Sequence, residues 1–152
     1  MLLTVAAGAF FLLAALPRCE GGHRVSGNLA SWTTTPGVVN PEVTQATIGK
    51  TICVHGWTRT IRPASSYTSE LKVEQMRAYG LRGSTARFQE DHLISLELGG
   101  HPTDPRNLWP ESRPRADEVD GIENDLNRRI CDGSLSLRDA QREISRIKHE
   151  EG

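Results

Sequence analysis

The run Glu90-Asp91-His92-Leu93-Ile94-Ser95-Leu96-Glu97-Leu98-Gly99-Gly100, continued by Pro105-Arg106-Asn107-Leu108-Trp109-Pro110, constrains the chain more than any other stretch. An acid and a histidine stand beside an apolar segment, a double glycine turns the chain, and an asparagine follows a short polar loop. Residues 88–98 are expected to supply two short strands that turn at Gly99-Gly100, with a helix after Asn107-Leu108-Trp109-Pro110.

These residue types suit the hydrolysis of a phosphodiester, where a weak nucleophile attacks an anion and an alkoxide leaves. The reaction calls for a base near neutral pKa, a cation against the developing charge and a scaffold that aligns them. His92 fits the base, because an unperturbed imidazole titrates near ~6.5. Asp91 fits a hard-oxygen ligand for a divalent cation. Asn107 offers a neutral amide oxygen, which would bind metal without repelling phosphate. Water and substrate oxygens would complete the shell. The plainer alternative makes Asp91 a turn or cap residue, His92 a packing residue at a hairpin edge and Asn107 a helix cap. Neighbours on a regular strand point to opposite faces. Asp91 and His92 therefore share a site only if the strand ends or bends there, or if the metal sits at its edge.

The 152 residues allow one domain with its own core. The expected class is α+β: short N-terminal strands, the hairpin above and flanking helices. Residues 51–54 and 57–61 have the β-branched and aromatic content of strands. A helix is expected from an N-cap at Thr68 to a stop at Gly80. Val119, Ile122, Leu126 and Ile130 mark one face of another helix, with Pro114 in its first turn and Gly133 past its end. A last helix starts at Ser136, with Leu137, Ala140, Ile144 and Ile147 on one side, and should fray from His149 onward.

A net charge of -1 argues against a tight, static nucleic-acid binder. It leaves room for an enzyme with a local basic patch. Arg59, Arg62, Lys72, Arg77, Arg82 and Arg87 precede the hairpin, and Arg106, Arg113 and Arg115 follow it. They are placed to contact backbone phosphates, or else form a solvated face.

Residues 1–19 are expected to be a signal peptide or N-terminal hydrophobic segment, too short for a comfortable membrane span. Residues 20–35 are expected to form a flexible linker from which Trp32 can dock, and 36–148 the domain. That organisation implies a secreted or periplasmic monomer. Two cysteines lie beyond the N-terminal segment, Cys53 and Cys131. In an oxidising compartment they would form one disulfide worth roughly 3–5 kcal/mol, the alternative being two buried thiols. A Cys53-x-His55 zinc half-site lacks a second half.

Several strings together resemble a family of small exported bacterial proteins described as HNH endonuclease-like. They are Asn-Pro-x-Val-Thr-Gln at 40–45, Thr-Ile-Cys-x-x-Gly-Trp-Thr at 51–58, Arg62-Pro63, Ser-Tyr-Thr at 66–68 and Ala-Tyr-Gly at 78–80. The Asp91 to Asn107 segment and Cys-x-Gly-x-x-x-Leu-x-x-Ala-Gln at 131–141 complete the likeness, which covers about 36–145. It implies a ββα-metal finger and a metal-dependent endonuclease acting on DNA or RNA without sequence preference. His92 would be the base, and one Mg²⁺ or Mn²⁺ would be held by Asp91 and Asn107, with Zn²⁺ and Ni²⁺ as alternatives. Such fingers usually carry a further His or Asn on the following helix. Residues 113–120 have neither, so Asp117, Asp120 or Glu123 would supply that ligand, and Ser95 replaces the usual Pro. The departure leaves a second class open, a non-catalytic exported module on the same fold.

Overall fold

The computed structural model describes residues 28–151. The hydrophobic segment expected over 1–19 and the first part of the expected linker lie outside them. Among the described residues the protein is α+β, with four helices and one two-stranded antiparallel sheet. The order is α1 (Trp57–Ile61), α2 (Ser65–Ala78), β1 (Phe88–His92), β2 (Leu108–Ser112), α3 (Arg113–Cys131) and α4 (Leu137–Glu150). No described helix is long and apolar enough to cross a membrane.

The two C-terminal helices follow their apolar stripes. Val119, Leu126 and Ile130 of α3 meet Leu137, Ala140, Ile144 and Ile147 of α4 in the main core, joined by Val43, Ile52, Ile94 and Leu98. Ser136 caps α4 by accepting from the Asp139 N–H at 3.1 Å. Gly121 does not break α3, because it lies on the exposed side with open space around it. Cys53 and Cys131 are joined by a disulfide across 78 residues, tying the segment before α1 to the end of α3. Such a bond fits a compartment that oxidises thiols, and it removes Cys53 from any zinc half-site with His55.

Four expectations are corrected. Residues 51–54 and 57–61 are not strands. Val54 N–H donates to Thr51 O, Trp57 N–H to Val54 O and Arg59 N–H to Gly56 O, a series of turns that runs into α1. A strand needs a partner edge, and among the described residues none pairs with this segment, so β-branched content alone did not make one. Helix α2 starts at Ser65, directly after Pro63-Ala64, rather than near Thr68. Residues 88–98 supply only β1, and the second strand is β2, after Asn107. The apolar residues Leu93, Ile94, Leu96 and Leu98 are buried in the connection rather than alternating across a sheet.

The last correction concerns the C-terminus. Helix α4 holds to Glu150, and His149 is buried with Trp32 stacked on its ring at 3.6 Å between centroids. Residues 28–35, within the expected linker, lie on the domain. Asn28 donates to Pro110 O and accepts from Ser112 N–H, filling the open edge of β2, and Ala30 N–H donates to Lys148 O.

Candidate functional site

Strand β1 pairs with β2 so that His92 faces Leu108, Asp91 faces Trp109 and Gln89 faces Glu111. Gln89, Asp91, Trp109 and Glu111 therefore share one face of the sheet, and Glu90 and His92 the other. His92 is the last residue of β1. Because the strand ends there, its ring and the Asp91 carboxylate reach a common space despite their opposite faces.

The connection from β1 to β2 is organised by Asn107. Its side chain is fully buried. Oδ1 accepts from Ile94 N–H at 3.0 Å and Val38 N–H at 3.3 Å; Nδ2 donates to Ile94 O and His101 O, both at 3.0 Å. Two donors and two acceptor positions are the whole capacity of a side-chain amide. Asn107 is thus a latch across the loop, with no lone pair left for a metal, and the role expected for it as a ligand is not the one it fills. Gly100 makes the latch feasible, since a Cβ there would stand 1.7 Å from Ile94 O and 2.8 Å from Asn107 Nδ2.

His92 lies at the mouth of this loop, 6% exposed. Its Nε2 is 2.9 Å from Pro102 O. A carbonyl only accepts, so Nε2 carries the proton and Nδ1 keeps its lone pair. Burial lowers the imidazole pKa, helped by the charges of Lys148 and Arg62 and opposed by the Pro102 carbonyl and Asp91. The ring is therefore neutral at neutral pH.

Asp91 is gripped from behind. Its Oδ2 lies 2.6 Å from Lys148 Nζ, and Oδ1 accepts a long bond from Gln89 Nε2 at 3.4 Å. The same ammonium donates to His92 O at 2.7 Å, lies 2.7 Å from Glu123 Oε1 and 3.6 Å from Glu111 Oε2, and is fully buried. Glu111 in turn sits 2.9 Å from Arg115 Nε. Arg115 also donates to Ile147 O at 2.7 Å and to Glu151 O, closing the C-terminus of α4.

Burial would raise the Asp91 pKa, but the Lys148 charge and hydrogen bonds from Glu111 and Lys148 hold it at about 2. Burial pushes Glu111 up to about 8 and Glu123 to about 7, Asp91 adding to both shifts against the pull of Lys148. Burial likewise raises Glu90, on the opposite face, to about 8 against Lys72. For Lys148 burial favours the neutral amine, yet Asp91, Glu123 and Glu111 hold it well above the ordinary lysine range.

Two adjoining cavities of about 240 and 300 Å³ meet at this strand end, and Arg62, Gln89, Asp91 and His92 line both. The first adds Glu97 and, from α3, Asp120, Glu123 and Asn124; the second runs to Ser65 and Thr68 of α2. Arg62 is exposed. Four carboxylates, Asp91, Glu97, Asp120 and Glu123, line the first cavity against the single cation Arg62; burial, then the neighbouring acid Asp91, raises Asp120, and burial with Asp120 raises Glu97. Among the described residues no three His, Cys, Asp or Glu side chains stand close enough together to hold a metal by themselves.

Asp91 and His92 are thus brought together and Asn107 is set apart as the latch. Of the three acids named for α3, Asp120 and Glu123 reach the cavity and Asp117 is not in its wall. Lys148, Glu111 and Asn124 were not anticipated, and Arg115, expected on a phosphate-contacting or solvated face, is instead fully buried against Glu111. A signal existed for two of the buried charges: Glu123 falls on the α3 stripe, four residues after Val119, and Lys148 on the α4 stripe, four after Ile144. A charge on an apolar stripe implies a buried partner. Comparison with family models, curated proteins and solved structures finds no match.

Proposed function

We propose that this protein is a metal-dependent endonuclease of the HNH type, cutting phosphodiester bonds of DNA or RNA without reading sequence. The observation that carries the reading is the His92 ring, held through Nε2 by the Pro102 carbonyl with Nδ1 as a free base, in a cavity wall shared with Asp91 and Arg62. The β1–loop–β2–α3 order, latched by an asparagine, is also the order of a ββα-metal finger.

In this mechanism His92 Nδ1 takes a proton from water, and the hydroxide attacks phosphorus. The bond to the leaving oxygen breaks, and that oxygen takes a proton from solvent. Arg62 binds a non-bridging oxygen and holds the diester in the groove. The donors on the wall are hard oxygens with excess negative charge, which fits Mg²⁺ or Mn²⁺ better than a thiophilic ion. Asp91 would hold the cation by Oδ1, the oxygen that Lys148 does not grip, with Asp120 and Asn124 as neighbours in place of Asn107. When bound, the ion would supply charge neutralisation at the phosphate oxygens. Secretion or a periplasmic location is part of the same proposal, and the disulfide supports it.

The test is relaxation of supercoiled plasmid by the purified protein in Mg²⁺ or Mn²⁺. His92→Ala should slow it ~10²–10⁴-fold, the usual contribution of a general base. Equal cutting by both proteins would assign the activity to a contaminant. A second reading, a non-catalytic module, is favoured by the fully buried Lys148 ammonium that already offsets the Asp91 charge. It requires no metal-dependent cutting and no calorimetric Mn²⁺ signal that Asp91→Asn abolishes.

A further inference from the structure

We propose that Lys148 is the positioning residue of this site: its ammonium holds Asp91 by Oδ2 and the end of β1 by the His92 carbonyl, presenting Asp91 Oδ1 and the His92 ring together to the cavity. An ammonium has three donors. Here two of them bond Asp91 Oδ2 at 2.6 Å and His92 O at 2.7 Å, and the ammonium stands in an ion pair 2.7 Å from Glu123 Oε1. One cation thereby joins a side chain of β1, the backbone of the next residue and α3. That arrangement answers the geometric problem of two adjacent strand residues serving one site, because it sets the angle between them at the point where the ladder stops.

The lysine is not free to wander. It is fully buried, on the apolar stripe of α4. Its own carbonyl accepts from Ala30 N–H at 2.9 Å, and Arg115 closes the helix end one residue before it, at Ile147 O. The last turn of α4 is therefore part of the site, although 56 residues separate Lys148 from His92. The role assigned to Asp91 rests on the proposed hydrolysis, whereas the clasp itself does not.

The full chain is compared with Lys148→Met and with Lys148→Met combined with Glu123→Gln, which removes one of the carboxylates left without their cation. In plasmid cutting with Mn²⁺, both variants should lose ~10–100-fold in kcat, the usual cost of losing a group that orients a ligand, with KM little changed. An unchanged kcat in a folded variant overturns the proposal. Independently of activity, the shielded Lys148 ammonium should give a slowly exchanging ¹⁵Nζ resonance that shifts in Asp91→Asn. A resonance indifferent to Asp91→Asn overturns the clasp whatever the cutting assay gives. A wild-type protein that cuts nothing while that resonance shifts sinks the nuclease reading and leaves the clasp standing.

Discussion

Two buried polar groups stand within a few residues of one another at the end of this sheet and are treated in opposite ways. Asn107 is neutral and makes four bonds to backbone, so its environment is complete and indifferent to pH. Behind Asp91 the interior holds two further carboxylates, one ammonium and one guanidinium. Their balance is incomplete: Glu111 and Glu123 titrate near neutrality. The amide makes the loop rigid. The charged group sets the electrostatics of the cavity, and it is the part that conditions can change.

The contrast yields a ranked set of tests. Asn107→Ala should have the largest effect. It strands Val38 N–H, Ile94 N–H, Ile94 O and His101 O, at about 1–3 kcal/mol for each group that stays dry. A total loss of about 4 kcal/mol or more is expected from urea unfolding, of equal size at pH 5 and pH 8. A loss under about 1 kcal/mol would mean the loop does not depend on the latch.

Lys148→Met comes next, at about 3–5 kcal/mol, because it leaves buried carboxylates without their cation. Here the cost should depend on pH. At pH 5 Glu111 and Glu123 retain their protons, so Asp91 is the carboxylate that is stranded; toward pH 8 the two glutamates add to it. The same unfolding curves at both pH values measure it, and a pH-independent loss would remove the distinction from Asn107.

The last test needs no substitution: it is the pH profile of the wild type. Glu111 and Glu123 have folded pKa values raised to about 8 and about 7, above the ordinary 4.5. Between 4.5 and those values the folded chain holds protons that the unfolded chain has released, so stability falls as pH rises through that window. Asp91, lowered from 3.8 to about 2, acts in the opposite sense: its contribution is present above 3.8 and is lost as pH falls toward 2. The urea midpoint should therefore decline from about pH 5 to pH 8, and a midpoint that rises across this range would contradict the protonated state of the cluster.

Much of this was legible in the sequence, and the division follows the range of the forces. The α3 and α4 stripes, the Ser136 cap and the stops at Gly80 and Gly133 depend on residues within a turn or two, and each is where periodicity placed it. The pairing of the only two cysteines beyond the N-terminal segment was also readable. The strands were not. Residues 51–61 have strand-like composition but no edge to pair with, and the apolar run 93–98 was needed in the core. A ladder forms between segments far apart in the chain, and the second strand lay beyond Asn107.

By itself, then, the sequence determined helices α3 and α4, the disulfide partners and the adjacency of Asp91 and His92, an adjacency that alone does not make two strand residues share a site. Tertiary structure decided what those side chains face. It turned Asn107 into a latch, by bringing Val38, Ile94 and His101 within reach of one amide. It also set a lysine from the last turn of the final helix against Asp91, because a buried cation must meet buried anions wherever the fold carries them.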